Sequence, residues 1–170
     1  ANISPEEGQE YFCDGMTEEI ITGLSHLREL SVISRNTAMT YKGTKKDTRT
    51  IGDELGVRYI LEGSVRKAGN SLRITAQLID APRDVHLWAE KYTGTLDDVF
   101  DMQEKVSRAI VGSLRVRLGP AEEMRLARRP IADPEVYDDW LRARHMIRNY
   151  GPGGFDEAIA RLEAGLKRIG

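Results

Sequence analysis

The chain has 170 residues, of which 40% are hydrophobic and 31% are charged, and its formal net charge is -2. This balance is typical of a soluble globular protein and argues against general affinity for nucleic acid or anionic membranes. Cys13 is the single cysteine, which excludes an intramolecular disulfide and a zinc site built from cysteines.

The first 35 residues predict helical structure followed by a short strand. Residues 4–7 combine a capping serine, a first-turn proline and a capping-box glutamate, so a helix is expected to begin there. Asp14 and Gly15 are expected to interrupt or bend it. Residues 31–35 (SVISR) predict a short strand. An apolar stripe at helical spacing lies between Gly15 and this strand and runs toward Leu30. It consists of Ile20, Ile21, Leu24 and Leu27.

The middle of the chain predicts a helix and a three-stranded antiparallel meander. Asp47 is a plausible N-cap and Gly56 suits a left-handed helix end, which leaves a helix of about nine residues between them. Gly69 and Asn70 can form the first hairpin turn, and residues 82–84 the second. In the central strand Leu72, Ile74, Ala76 and Leu78 alternate with polar residues, so one face of the sheet should be buried.

Helices dominate the remainder. Residues 97–118 predict one long helix, which Gly119-Pro120 should end. Residues 134–150 and 155–169 predict an antiparallel helical hairpin around a glycine-rich turn. We therefore expect an α+β fold with a mixed or antiparallel sheet. The domains are an α/β unit at 1–118, a linker at 119–133 and the hairpin at 134–170.

The sequence offers little catalytic chemistry. His26, His86 and His145 lie on different predicted elements without metal-ligand spacing, and the adjacent acids are typical of solvated helix faces. Nucleotide-loop, metalloprotease and serine-hydrolase motifs do not occur. The prediction is no catalytic residue, no metal site and no cofactor. Arginines near the linker could form a basic strip or a solvated helix face, and without interleaved aromatics nucleic-acid binding is not expected; they are Arg125, Arg128, Arg129, Arg142, Arg144 and Arg148.

One polar cluster follows the predicted strand at 31–35, where open α/β sheets tend to bind ligands. It contains Arg35, Asn36, Thr37, Tyr41 and Lys42. In the ligand-binding interpretation Arg35 and Lys42 contact an anion and Tyr41 provides a stacking surface. The alternative is helix capping by Asn36 or Thr37 with a turn at Gly43.

Several dispersed blocks, in order, resemble a known family. The blocks are FCDGMTEEIITGLS, VISRNTAMTYKG, IGDELGVRYILEGSVRKAGNSLRITAQLIDA, HLWAEKY and DDVFDMQEKVSRAIV. Together they cover roughly residues 2–116 and resemble the TolB amino-terminal-like domain that precedes tetratricopeptide repeats in bacterial class III adenylate or guanylate cyclases and winged-helix regulators. The hairpin resembles one such repeat, with Ala143, Ala158, Leu162 and Gly165 at its packing positions.

The resemblance implies a non-catalytic regulatory or sensory module of a bacterial signalling protein. A cyclase is the first expectation for the parent, and a winged-helix transcriptional regulator, a small-anion or nucleotide-binding domain and an envelope-associated interaction domain are the alternatives. The expected partners are proteins or neighbouring domains, with no nucleic acid or membrane contacted by this segment. The family begins with a strand that this chain lacks, so we expect an exposed sheet edge that could support a homodimer, and further repeats beyond residue 170. We expect a cytoplasmic location, with a periplasmic one as the alternative.

Overall fold

A computed structural model describes residues 10–129, 131–149 and 153–169. In the described residues three helices precede a run of three consecutive strands and four helices follow it, and this segregation of helices from strands confirms the predicted α+β fold class. The elements in these described residues are α1 (Glu10–Ser25), α2 (Arg35–Met39), α3 (Thr48–Leu55), β1 (Tyr59–Ala68), β2 (Ser71–Asp80), β3 (Val85–Thr95), a 3₁₀ turn (Leu96–Asp98), α4 (Val99–Ser113), α5 (Pro120–Leu126), α6 (Pro134–Asn149) and α7 (Gly153–Ile169).

The strands form an antiparallel meander in the order β1-β2-β3, as predicted. Gly69, with φ of +56°, provides the positive backbone angle in the first hairpin turn. The inward face of the sheet packs against α1 and α4. It buries the predicted alternating residues of β2, which are Leu72, Ile74, Ala76 and Leu78.

Local capping signals define α3 as predicted. The backbone N–H of Thr50 donates a 2.8 Å hydrogen bond to Oδ1 of Asp47, and Gly56 ends the helix in the left-handed conformation. The helix has eight residues.

The predicted strand at 31–35 is wrong. Residues 31–34 are irregular, and Arg35 begins α2, which Ser34 caps by accepting a 3.4 Å hydrogen bond from the N–H of Thr37. A short apolar run is compatible with several local structures, and here the capping serine decides the backbone conformation. Val32 packs against the core from this irregular segment.

The predicted interruption at Asp14-Gly15 is also wrong, because α1 runs through both residues and ends at Ser25. Gly15 instead permits close helix packing: a Cβ atom there would lie 2.5 Å from Cδ2 of Leu141 on α6. The predicted apolar stripe is mostly buried and continues past the helix end to Leu27. The predicted helix start at residues 4–7 lies outside the described residues.

The long helix predicted at 97–118 is shorter in the structure. A 3₁₀ turn precedes α4, which ends at Ser113, and Arg115 has a positive φ of 54°. Gly119 caps the start of α5, and Pro120 occupies its first turn. Proline is favoured at that position because no intrahelical partner is needed for its nitrogen, so this pair begins a helix here.

Helices α6 and α7 form the predicted hairpin, whose turn at residues 150–152 lies outside the described residues. Ala143 and Ala158 are completely buried, and because their side chains are small the two helices can approach closely. Tyr137 and Leu141 of α6 belong to the same hydrophobic cluster as Phe12 of α1. The hairpin thus packs on the sheet-bearing part of the chain, while the proposed domain boundaries stay a prediction.

Among the described helices, none combines the length and the apolar character that a membrane span requires.

Candidate functional site

In the structure, three of the five residues predicted to bind a ligand contact acids of neighbouring helices. Arg35 Nε lies 3.2 Å from Glu18 of α1, and Lys42 Nζ donates a 2.7 Å hydrogen bond to Asp14 of the same helix. The Tyr41 hydroxyl donates a 2.9 Å hydrogen bond to Glu54 of α3. Asn36 and Thr37 are exposed on α2.

These contacts give the residues predicted to bind a ligand a structural role. An anion at this position would compete with carboxylates that already contact Arg35 and Lys42. Ser34, rather than Asn36 or Thr37, caps the helix, and Gly43 has the positive φ of +70° that a turn requires. Ligand binding by these five residues stays a prediction.

A buried carboxylate joins the hairpin to the rest of the fold. Asp138 of α6 is 8% exposed and accepts a 2.8 Å hydrogen bond from the hydroxyl of Tyr11 on α1. It also accepts hydrogen bonds from Lys67 Nζ of β1 at 3.3 Å and from Arg142 Nε of α6 at 3.1 Å. Asp138, Tyr11, Lys67 and Arg142 are called the Asp138 cluster. A buried charge requires such partners, and here they come from three elements.

The electrostatics of this cluster keep Tyr11 neutral. Burial raises the pKa of Tyr11 well above its ordinary value of 10, and the hydrogen bond to Asp138 raises it further. The Arg142 guanidinium lies over the Tyr11 ring, 4.6 Å from its centroid. The phenol therefore acts as a hydrogen-bond donor to the carboxylate.

A second carboxylate connects α1 with both α2 and α6. Glu18 forms ion pairs with Arg35 at 3.2 Å and Arg144 at 3.6 Å, and it accepts a 2.8 Å hydrogen bond from Nη2 of Arg148. Burial raises the pKa of Glu18, but the hydrogen bond from Arg148 and the charges of the other arginines outweigh it and hold the pKa below its usual range. Glu18, Arg35, Arg144 and Arg148 are called the Glu18 cluster.

The Glu18 cluster has no room for a small organic substrate. The cavity beside it has a volume of about 10 Å³, which is about the smallest volume that can hold one water molecule. Arg144 also donates to Glu19 at 3.0 Å, so its guanidinium lies between two acids of α1. Two arginines of the predicted basic strip, Arg144 and Arg148, thus form ion pairs across the α1–α6 interface, whereas Arg142 pairs with Asp138 within α6.

No group of three or more histidine, cysteine or acidic side chains in the described part of the chain is arranged to hold a metal ion. Burial lowers the pKa of His145 and raises the pKa of the Cys13 thiol, so burial favours the neutral form of both side chains. The arrangement is suited to holding three packed elements in one geometry.

Sequence reasoning missed both carboxylates that organise this interface. Arg142 lies four residues after Asp138 on α6, so their ion pair could have been anticipated from helical spacing. The contact of Tyr11 with Asp138 joins positions 127 residues apart, and local patterns carry no signal for it.

Comparison with known proteins assigns the chain to a regulatory family. A family model described as HilA/YgeH-like transcriptional regulator, second domain, matches residues 6–109. A protein of Rhizobium meliloti (strain 1021) named "Putative adenylate cyclase 3" is 50% identical over 163 residues, which cover 96% of this chain. The chain spans only about a quarter of that relative, 27% of its length.

Neither description names a TolB-like domain or a tetratricopeptide repeat, so that finer assignment stays a prediction. The family model covers α1 to α4 in large part, and therefore the sheet with the helices that pack on its inward face. From this match the chain belongs to the family of HilA/YgeH-like transcriptional regulator second domains.

Proposed function

We propose that this chain is a non-catalytic regulatory module of a bacterial signalling protein and that it acts through contacts with other protein segments. The observation that carries the proposal is the α1–α6 interface, where Asp138 accepts hydrogen bonds from α1, β1 and α6. A relay between two parts of a protein needs such a connection, because displacement of the hairpin then disturbs the sheet.

The parent is proposed to be an adenylate or guanylate cyclase with a TolB amino-terminal-like module ahead of tetratricopeptide repeats. The name of the Rhizobium meliloti relative and its 50% identity support the cyclase part. In this proposal the chain itself makes no cyclic nucleotide and modulates an effector domain elsewhere in the polypeptide.

The repeat part of the proposal rests on α7. Three large apolar side chains lie four and seven residues apart along this helix and are exposed: Phe155 by 44%, Ile159 by 51% and Leu166 by 65%. Spacing of this kind places them on one helical face. Another helical hairpin of the same polypeptide would cover that face, as stacked repeats do.

A transcriptional regulator is the second candidate, because the matching family model carries that description. The same module would then join a DNA-binding domain to the hairpin. Gel-shift measurements with the full-length polypeptide distinguish the two, since only a regulator would bind duplex DNA specifically.

The first test asks whether the chain is catalytic. The purified chain is incubated with ATP or GTP and divalent cations, and cyclic nucleotide is quantified. The proposal expects no product above the level without protein. Product formation that scales with the concentration of the chain would overturn it.

The second test asks whether the interface relays a signal. Arg148→Glu places a like charge against Glu18 of α1, whereas Arg168→Glu changes an α7 residue whose ion pairs, within the described residues, are with the α6 acids Glu135 and Asp139. In the full-length protein, cyclase output should change in the first variant and stay at the wild-type level in the second, with both folded by circular dichroism. Equal output in all three proteins would contradict the relay.

Pairing of two chains along an open strand edge is retained as part of the proposal. Strands β1 and β3 are the edge strands of the described sheet. Sedimentation equilibrium measures the result: a concentration-dependent dimer supports pairing, and a monomer at all concentrations opposes it.

A further inference from the structure

The outward face of the sheet, opposite α1 and α4, carries a basic depression. Arg66 and Arg73 are partners on β1 and β2, and Ser64, Thr75 and Lys91 lie in line across the three strands one step further. These five residues line a depression of about 220 Å³. They are called the sheet-face cluster.

The sheet-face cluster concentrates positive charge on neighbouring strands, and this repulsion destabilises the sheet. Arg66 and Arg73 lie directly opposite each other on antiparallel strands, and like charges in that relation are destabilising. Within the described residues, no carboxylate oxygen lies within 4.0 Å of the charged nitrogens of Arg66, Arg73 or Lys91. In contrast, Arg35, Arg144 and Arg148 all contact acids.

The neighbouring acid on this face does not neutralise the cluster. Glu62 occupies the next outward position of β1, and its Oε2 accepts a 2.9 Å hydrogen bond from Nε2 of Gln77 on β2. That bond ties the carboxylate to its cross-strand partner. The three cations therefore remain available to an external anion.

The side chains define the chemistry of that anion. Two guanidinium groups, one ammonium group and two hydroxyl groups provide N–H and O–H donors for the oxygens of a phosphate group, and none of the five side chains is negatively charged. The lining contains no aromatic side chain on which a nucleobase could stack. Trp88 and Tyr92, the aromatic residues of β3, instead pack against the core.

We propose that the sheet-face cluster is a binding site for a dianionic phosphate group, either free phosphate or the monoester group of a small metabolite. Arg66 and Arg73 hold its oxygens from one side and Lys91 from the other, while Ser64 and Thr75 donate hydroxyl hydrogens. This site is separate from the predicted ligand residues between Arg35 and Lys42, and it does not depend on the proposed parent.

The experiment is calorimetric titration of the chain with inorganic phosphate, adenosine monophosphate and cyclic adenosine monophosphate, with sodium chloride at equal ionic strength as the blank. Phosphate and the monoester should bind, and the singly charged cyclic diester should bind more weakly. Equal affinity for phosphate and monoester identifies the phosphate group alone as the ligand, whereas tighter monoester binding assigns the site to a phosphorylated metabolite.

Arg73→Gln and Lys91→Gln test the assignment of the site, and Arg83→Gln in the exposed turn between β2 and β3 is the matched control. Each cluster variant should weaken phosphate binding about tenfold or more, as expected for loss of a charge-assisted hydrogen bond. The control should bind like the wild type. Equal weakening in all three variants, or phosphate heats no larger than the chloride blank, would overturn the proposal.

A stability measurement gives an independent readout. Without phosphate, Arg73→Gln should raise the melting temperature, because it removes repulsion from Arg66. Phosphate should raise the melting temperature of the wild type and have a smaller effect on this variant. Stabilisation by an acidic peptide but not by phosphate would favour a protein partner and refute a phosphate site.

Discussion

The hydroxyl of Tyr11 donates a 2.8 Å hydrogen bond to Oδ1 of Asp138, across 127 positions of the sequence. Tyr11 lies in the first turn of α1, and Asp138 lies near the start of α6. Lys67 brings β1 into the same contact from the other carboxylate oxygen. Asp138 thus links the hairpin to both α1 and β1.

Asp138→Ala should destabilise the chain strongly. It leaves the hydroxyl of Tyr11 and the ammonium group of Lys67 without this acceptor in a poorly solvated place, and removal of one member of a buried pair costs about 3 kcal/mol. Urea unfolding followed by circular dichroism measures the change.

Asp139→Ala is the matched control for Asp138→Ala. Asp139 is the next residue of α6, and its ion pairs with Arg161 and Arg168 are long, at 3.8 and 3.6 Å. Its loss should cost less than about 1 kcal/mol. Similar destabilisation by the two substitutions would show that Asp138 has no special structural role.

The stability of the chain should fall steeply in alkaline solution. Burial, and after it the negative charge of Glu19, raise the pKa of Tyr137 far above its ordinary value of 10. The unfolded chain therefore ionises this phenol at a lower pH than the folded chain does. Its contribution to stability is complete below pH 10 and is lost progressively as the pH rises above that value.

Tyr137→Phe tests this alkaline effect. At neutral pH it should cost about 1 kcal/mol, because the hydroxyl accepts a 2.8 Å hydrogen bond from Gln103 Nε2. Above pH 10 the variant should lose stability with a shallower slope than the wild type. Unfolding free energies from urea titrations between pH 8 and pH 11, about the range in which tyrosines ionise, provide the comparison. Identical slopes would exclude Tyr137 as a contributor.

Asp47→Ala should destabilise α3 by about 1 kcal/mol, because the Asp47 carboxylate accepts the N–H of Thr50 at 2.8 Å in the first turn of the helix. Asp53→Ala is the control, since Asp53 is exposed on the same helix and should change stability by no more than about 0.5 kcal/mol. Thermal unfolding of both variants measures the difference. A cap loss no larger than the control would mean that water satisfies the freed N–H fully.

The predictions that succeeded from sequence concern interactions made within a few residues. The Asp47 cap, the left-handed Gly56 and the turn at Gly69 are each set by local backbone energetics, so the helix and the first hairpin could be located. Asp138 offers no comparable signal for Tyr11, because that contact exists only after α6 packs on α1. The α1–α6 interface therefore could not be predicted from the sequence, and only the structure shows it.

The prediction that Gly15 interrupts the first helix is wrong for a related reason. Glycine has low helix propensity, but packing overrides that preference when a neighbouring helix needs the space. Leu141 of α6 is 1% exposed and fills the position that a side chain at Gly15 would occupy. The local cost of a glycine predicts an interruption of the helix, whereas the tertiary contact with Leu141 determines the role of Gly15.

Gly15→Ala and Gly23→Ala should have effects of opposite sign, although both glycines lie within α1. A Cβ atom at position 15 would lie 2.5 Å from Leu141, so overpacking should cost about 1–3 kcal/mol and outweigh the gain in helix propensity. A Cβ atom at position 23 would meet nothing within 4 Å, so alanine there should stabilise the chain by about 0.5–1 kcal/mol. Urea unfolding of the two single variants decides the matter. If Gly15→Ala were also stabilising, α6 could not be packed on α1 through Leu141 as closely as the structure has it.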